Sequence, residues 1–206
     1  MNTFLPRMII LTALNLVLAG CSSGPPALKP PKIDPQDSAD GAMELYDKDG
    51  DGFLSAEELE ACPGILFALK TYDQDGDGRV SRDEIAQRLQ KLVDQRVAIT
   101  RLVAKVRYKK RPLPGASVRF IPESYLGEAI KPAEGMTSAK GGAMIAVEDA
   151  LLPENQRGKR AMQYGTFRVE ITHPEVEIPA KYNTNTTLGY DTRPGNAYVT
   201  FDLKTR

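Results

Sequence analysis

Apolar positions along this 206-residue chain follow four successive patterns. The first is an apolar run from Met8 to Leu18, preceded by Arg7 and broken only by Thr12 and Asn15. Its length suits the hydrophobic region of a signal peptide and is short for a membrane span. From Ser22 to Gln36 any period disappears, and five prolines in fifteen residues favour an extended polyproline segment. At about 3.1 Å per residue such a spacer reaches about 45 Å.

Helical spacing then takes over, from Asp40 to about Asp94. Met43 and Tyr46 lie four and one residues before Asp47, and Leu69 and Tyr72 hold the same places before Asp73. Leu59 and Ile85 recur in step behind them, so two helix–loop–helix units are expected to share one apolar core. Leu54 and Val80 occupy equivalent places and are set to pair as a short antiparallel bridge. Only 14 residues, Leu59 to Tyr72, connect the loops, with Pro63-Gly64 among them. The first exiting helix is therefore expected to stop near Ala61 and the second entering helix to start near Ile65. A longer last helix presents Ile85, Leu89, Leu92 and Val93 on one face, with Val97 at its limit.

From about Val97 the period shortens to two. Val103, Lys105 and Arg107 alternate with Ala104, Val106 and Tyr108, and Ser117 to Ile121 resumes after the turn Arg111-Pro-Leu-Pro-Gly115. Further strands are expected at Gly135 to Ser138, Ala143 to Val147, Gly165 to Thr172, Thr187 to Asp191 and Ala197 to Leu203. Seven short strands between Gly/Pro/Asn turns predict an antiparallel β-sandwich, for whose core the 110 residues are ample. The fold class is thus α+β in two domains, with boundaries at 1–20 (signal peptide), 21–38 (spacer), 39–96 (helical pair) and 97–206 (β-sandwich).

Charge supports the same division. The whole chain balances 27 basic against 27 acidic residues. Residues 40–95 carry 14 acidic and 6 basic side chains, a net of −8, whereas residues 96–206 carry 11 and 18, a net of +7. The basic charges are spread through strand-like sequence with no dense run, which does not describe a nucleic-acid surface.

The acidic excess concentrates in two twelve-residue stretches, Asp47 to Glu58 and Asp73 to Glu84, spaced 26 residues apart. Each has Asp at positions 1, 3 and 5, Gly at 6, Ser at 9 and Glu at 12. Both match the EF-hand loop pattern, whose spacing follows from calcium's demand for six to eight oxygens at flexible geometry. The expected ligands of a first site are Asp47, Asp49, Asp51, the carbonyl of Phe53, Ser55 through a water, and Glu58 with both oxygens. A second site would use Asp73, Asp75, Asp77, the carbonyl of Arg79, Ser81 through a water, and Glu84. Gly52 and Gly78 allow the bend that needs positive φ. Two Ca2+ ions are therefore expected, stabilising the pair rather than switching it.

The apolar run ends in Leu18-Ala19-Gly20-Cys21, which resembles the lipobox of bacterial lipoproteins. That resemblance implies cleavage before Cys21, acylation of Cys21, and a membrane partner reached through the lipid. Ser22 in place of Asp favours the outer over the inner membrane. With Cys21 lipidated, Cys62 has no intramolecular disulfide partner and reads as a small buried hydrophobe.

The segments Val106 to Pro122, Gly165 to Thr172, Ile178 to Asn183 and Arg193 to Leu203 resemble transthyretin-like, or carboxypeptidase regulatory-like, domains. The shared pattern is a strand, a Pro-x-x-Gly-Ala turn, a strand with Val-x-Phe, and a later Gly-x-Tyr/Phe-x-Val strand. The usual middle segment is altered here to Gly135-Met-Thr-Ser-Ala-Lys-Gly-Gly-Ala-Met144. These motifs bear on fold, not function. A hydroxyisourate hydrolase shares that fold, but its resemblance requires several histidines and a terminal Tyr-Arg-Gly-Ser. Here His173 stands alone beside Pro174. No catalytic residue is nominated, and the chain is expected to be a non-enzymatic calcium-binding surface or periplasmic protein. The alternative is a calcium-dependent carbohydrate- or peptide-binding module, for which Tyr125, Tyr164, Tyr182 and Tyr190 are the candidate aromatics, although each reads first as ordinary packing or turn structure.

Overall fold

The computed structural model describes residues 29–205. The signal-like run, the lipobox with Cys21, and residues 22–28 of the proline segment lie outside them.

The first helix, α1 (Pro35–Tyr46), starts inside the proline segment, four residues before the expected boundary. Asp34 caps it, its Oδ1 accepting from the N–H groups of Gln36 and Asp37 at 2.9 and 3.2 Å. Pro35 takes the first helical position, where its missing N–H costs nothing and its fixed φ suits the turn. The same effect moves the second entering helix. Pro63 opens α2 (Pro63–Phe67) two residues ahead of Ile65, directly behind the 3₁₀ turn Glu58–Ala61. The helix breaks at Ala68 and resumes as α3 (Leu69–Tyr72). After the second loop, α4 (Arg82–Asp94) buries Ile85, Leu89 and Leu92. Val97 does not belong to that face. Arg96 adopts a left-handed φ of 52° that ends the helix, leaving Val97 outside it and 38% exposed. Between the loops, β1 (Phe53–Leu54) and β2 (Val80–Ser81) form the expected bridge, with Leu54 opposite Val80.

The second domain contains β3 (Ile99–Thr100), β4 (Leu102–Tyr108), β5 (Arg111–Pro112), β6 (Ser117–Pro122), β7 (Ala133–Met136), β8 (Gly142–Val147), β9 (Met162–Gln163), β10 (Thr166–Thr172), β11 (Gly189–Asp191) and β12 (Tyr198–Leu203). Seven of them run in the order β11-β10-β6-β7-β8-β4-β12, with β5 paired on β4, making one eight-stranded sheet. It curls into a half-barrel whose two arms supply the facing layers expected of a sandwich. Phe120 of β6 and Phe201 of β12 meet across the interior, ring centroids 6.2 Å apart. Alternation places Leu102, Ala104 and Val106 inside and Lys105 and Arg107 outside on β4. All pairings are antiparallel except the last. The chain crosses from β11 at one edge to β12 at the other, so β12 runs parallel to β4. The two-residue pair β3–β9 stands apart from this sheet.

One apolar core runs through both domains. The β11 edge is covered by α2, whose backbone approaches so closely that a Cβ on Gly189 would lie 1.8 Å from the Pro63 carbonyl oxygen. Only glycine fits there, and its place sets the spacing between helical pair and sheet.

Candidate metal centres

Each loop is organised by its own carboxylates. In the first, Asp47 accepts from Gly50 N at 2.8 Å through Oδ1 and from Gly52 N at 3.1 Å through Oδ2. In the second, Asp73 accepts from Gly76 N at 2.6 Å and Gly78 N at 3.0 Å. Gly52 and Gly78 have φ of 85° and 84°, as the bend requires. Gly50 and Gly76, at position 4, are equally left-handed at 73° and 80°, a requirement the sequence pattern did not single out.

Glu58 returns from the end of its loop to the start. Its Oε1 accepts from Lys48 N at 2.7 Å, and its Oε2 from Ser55 N and Oγ at 2.9 and 2.8 Å. The Ser55 N–H, then that of Lys48, holds its carboxyl down at about 2. Glu84 repeats the arrangement with Gln74 N at 2.7 Å and Ser81 N and Oγ at 2.8 and 2.9 Å. Burial opposes ionisation of Glu84, yet the combined donors of Ser81 and Gln74 hold its carboxyl below the usual range. Ser81 also caps α4, its Oγ accepting from Glu84 N, so closing the loop and starting the helix are one event.

Carboxylate oxygens of Asp47, Asp49 and Glu58 lie within 4.8 Å of one another, and so do those of Asp73, Asp75 and Glu84. Asp51 and Asp77 stand beside these triads, with Oδ1 held by Phe53 N and Arg79 N at 2.8 Å each. Phe53 opens the bridge in the first loop, and Arg79 directly precedes it in the second. Every side chain in these sets offers hard oxygen on a flexible loop, which fits calcium. When bound, the ion would supply the positive charge that draws each ring of carboxylates together.

The EF hand family matches residues 39–63 and 68–89 of this chain, bracketing both loops and implying calcium binding. A search of curated proteins found no match.

What the sequence pattern missed is how the second loop is held. Tyr72 immediately precedes Asp73, and Arg88 lies one helical turn beyond Glu84; both reach into the β domain. Arg88 Nη2 donates to Asp191 Oδ2 at 2.6 Å and to the Thr192 carbonyl at 2.9 Å. Thr166 Oγ1 donates to Asp191 Oδ1 at 3.2 Å. That hydroxyl's single proton is thus used, so Tyr72 O–H donates to Thr166 at 2.8 Å and accepts from Tyr125 O–H at 3.1 Å. Burial pushes the Asp191 carboxyl up, against the pull of Arg88. This chain of donors ties both helices of the second hand to β10 and β11.

Other candidate residues take structural places. Tyr125, Tyr164, Tyr182 and Tyr190 are all buried, so they do not form the exposed aromatic platform expected of a glycan- or peptide-binding alternative. Their rings fill the interior because turn-rich sequence still packs against the curled sheet. His173 Nδ1 accepts from Glu175 N and Val176 N at 3.0 Å, leaving Nε2–H to donate to the Pro114 carbonyl at 2.9 Å. It fastens one turn to another. Cys62 is fully buried, as a small hydrophobe would be. Burial, then the neighbouring Glu123 carboxyl, raises its thiol well above the ordinary range, so it stays protonated.

Proposed function

We propose that this chain is a calcium-binding lipoprotein of the bacterial cell envelope, in which two calcium ions stabilise an EF-hand pair docked on a transthyretin-like β domain. One observation carries this reading: the second loop is bracketed by Tyr72 and Arg88, and both are locked into the buried polar network of the β domain. A sensor pair exposes an apolar face when it loads. Here that face already belongs to the continuous core, so calcium acts on stability. The role is structural or interactive rather than enzymatic. The dense carboxylates are accounted for by the loops, and both nitrogens of His173 are engaged by backbone.

Calorimetric calcium titration tests the sites. The wild-type chain is expected to take up two equivalents, and Glu58→Gln and Glu84→Gln one each. No uptake by the wild type at millimolar calcium would overturn the reading. Support for the anchor comes from Leu18-Ala19-Gly20-Cys21 after an apolar run, with a proline spacer behind it. Stable anchoring takes more than one acyl chain, as triacylated Cys21 would supply. Metabolic labelling with radioactive palmitate should mark the wild type in the membrane fraction, outer more than inner. Cys21→Ser should lose the label, and retention of label would sink the anchor.

A further inference from the structure

The two loops share one cation. Arg79 stands at position 7 of the second loop, where its backbone carbonyl is the expected ligand and its side chain is free to point elsewhere. The guanidinium reaches across the bridge. Nη1 lies 3.3 Å from Asp51 Oδ2 in the first loop, while Nη2 and Nε lie 3.0 and 3.3 Å from Asp77 Oδ2 in the second. Both partners hold position 5 of their loops, and each has its other oxygen fixed by a backbone N–H. The guanidinium is also seated, with Cζ 3.9 Å from the ring centroid of Phe53, the position-7 residue of the first loop. The arrangement is asymmetric, because Phe53 can return no charge to the second loop.

We infer that Arg79 sets the calcium affinity of both loops at once, acting as a tethered counterion that competes with the metal for Asp51 and Asp77. This rests on the reading that both loops bind calcium. Without metal, eight ligand carboxylates crowd two neighbouring loops, and a fixed positive charge between them relieves their repulsion. With metal, that charge faces divalent ions and its partners are needed as ligands, so the loaded state gains less than it would without Arg79. Both effects lower affinity, and both act across the bridge. A residue acting only through its own loop could not reach Asp51. Weak sites suit a compartment where calcium is abundant.

Single-site backgrounds make the test. In Glu84→Gln only the first loop binds, and in Glu58→Gln only the second; Arg79→Gln is added to each and calcium is titrated by calorimetry. Affinity is expected to rise in both backgrounds by about threefold to tenfold, the scale of one exposed charge acting on a divalent ion. The gain should shrink in 1 M salt, where the screening length falls to about 3 Å. Arg79→Lys keeps the charge and should keep most of the wild-type affinity. As a second readout, Arg79→Gln should lower the melting temperature of the metal-free chain. An unchanged or weaker first loop in Glu84→Gln/Arg79→Gln would overturn the inference, whatever happens in the second. A wild type that takes up no calcium would instead overturn the reading beneath it.

Discussion

Arg88→Met will destabilise the chain by about 3–5 kcal/mol, the cost of removing one partner from a buried ion pair. For a domain pair of this size that corresponds to a fall of about 10 °C in melting temperature. The side chains of Arg88 and Asp191 are 6% and 0% exposed, so water cannot replace what is lost. Without the guanidinium, Asp191 keeps the Thr166 hydroxyl, and its next cation is Arg193 Nε at 3.9 Å. The Thr192 carbonyl loses its donor too. Because Arg88 follows Glu84 by one turn of α4, calcium uptake at the second loop should weaken while the first is spared. Restoring an apolar match with Arg88→Met/Asp191→Leu should recover part of the stability, since the penalty is a stranded buried charge rather than a missing attraction. Urea denaturation at fixed calcium measures all three proteins. A loss below about 1 kcal/mol in Arg88→Met, the scale of an exposed pair, would show that the contact does not hold the domains together.

The parts of this molecule legible in sequence are those whose physics is local. An EF-hand loop writes its acidic positions within twelve residues, so spacing alone marks both loops, which the EF hand family matches, and the Leu54–Val80 bridge. Alternation likewise marks β4, β6, β8 and β10, because a strand with one buried face writes its period into the chain. Local signals failed where two meanings share one residue type. Pro63 reads as a breaker but starts a helix, and Val97 keeps helical spacing although Arg96 has already turned the chain. The rest is set by distant partners. Arg88 meets Asp191 across 103 residues, and Tyr72 meets Thr166 across 94, so no window of sequence contains either contact. Strand order and the parallel β12 depend on the same long-range closure. Burial of the four tyrosines agrees with their reading as ordinary packing, but the partners they meet are set by the curl of the sheet.

Glu123→Gln will raise stability at pH 8 by up to about 3 kcal/mol and leave it unchanged near pH 4. Glu123 follows β6 and is 1% exposed at the junction of the two domains. Its Oε1 accepts from Gly64 N at 2.7 Å, the first turn of α2, while Oε2 is buried with no hydrogen-bond partner among the described residues. Burial pushes its carboxyl up from 4.5 to about 7, more than the Gly64 N–H and the Arg168 charge pull it down. The folded chain therefore holds a proton that the unfolded chain releases. For an acid shifted upward, the favourable contribution is complete below the unfolded value of 4.5 and is lost as pH rises through about 7. At about 1.4 kcal/mol per unit, the window is worth about 3 kcal/mol. Glutamine keeps the oxygen that Gly64 needs and removes the charge that burial penalises. Urea denaturation of both proteins between pH 4 and 8, at fixed calcium, isolates the effect, because the two proteins differ at this one side chain. Stability curves that stay parallel throughout would mean that Glu123 ionises in the folded chain as readily as in the unfolded one, which would overturn the prediction. Curves that diverge above pH 5, with the variant higher, would make the junction between EF-hand pair and sheet tighter in acid than in base.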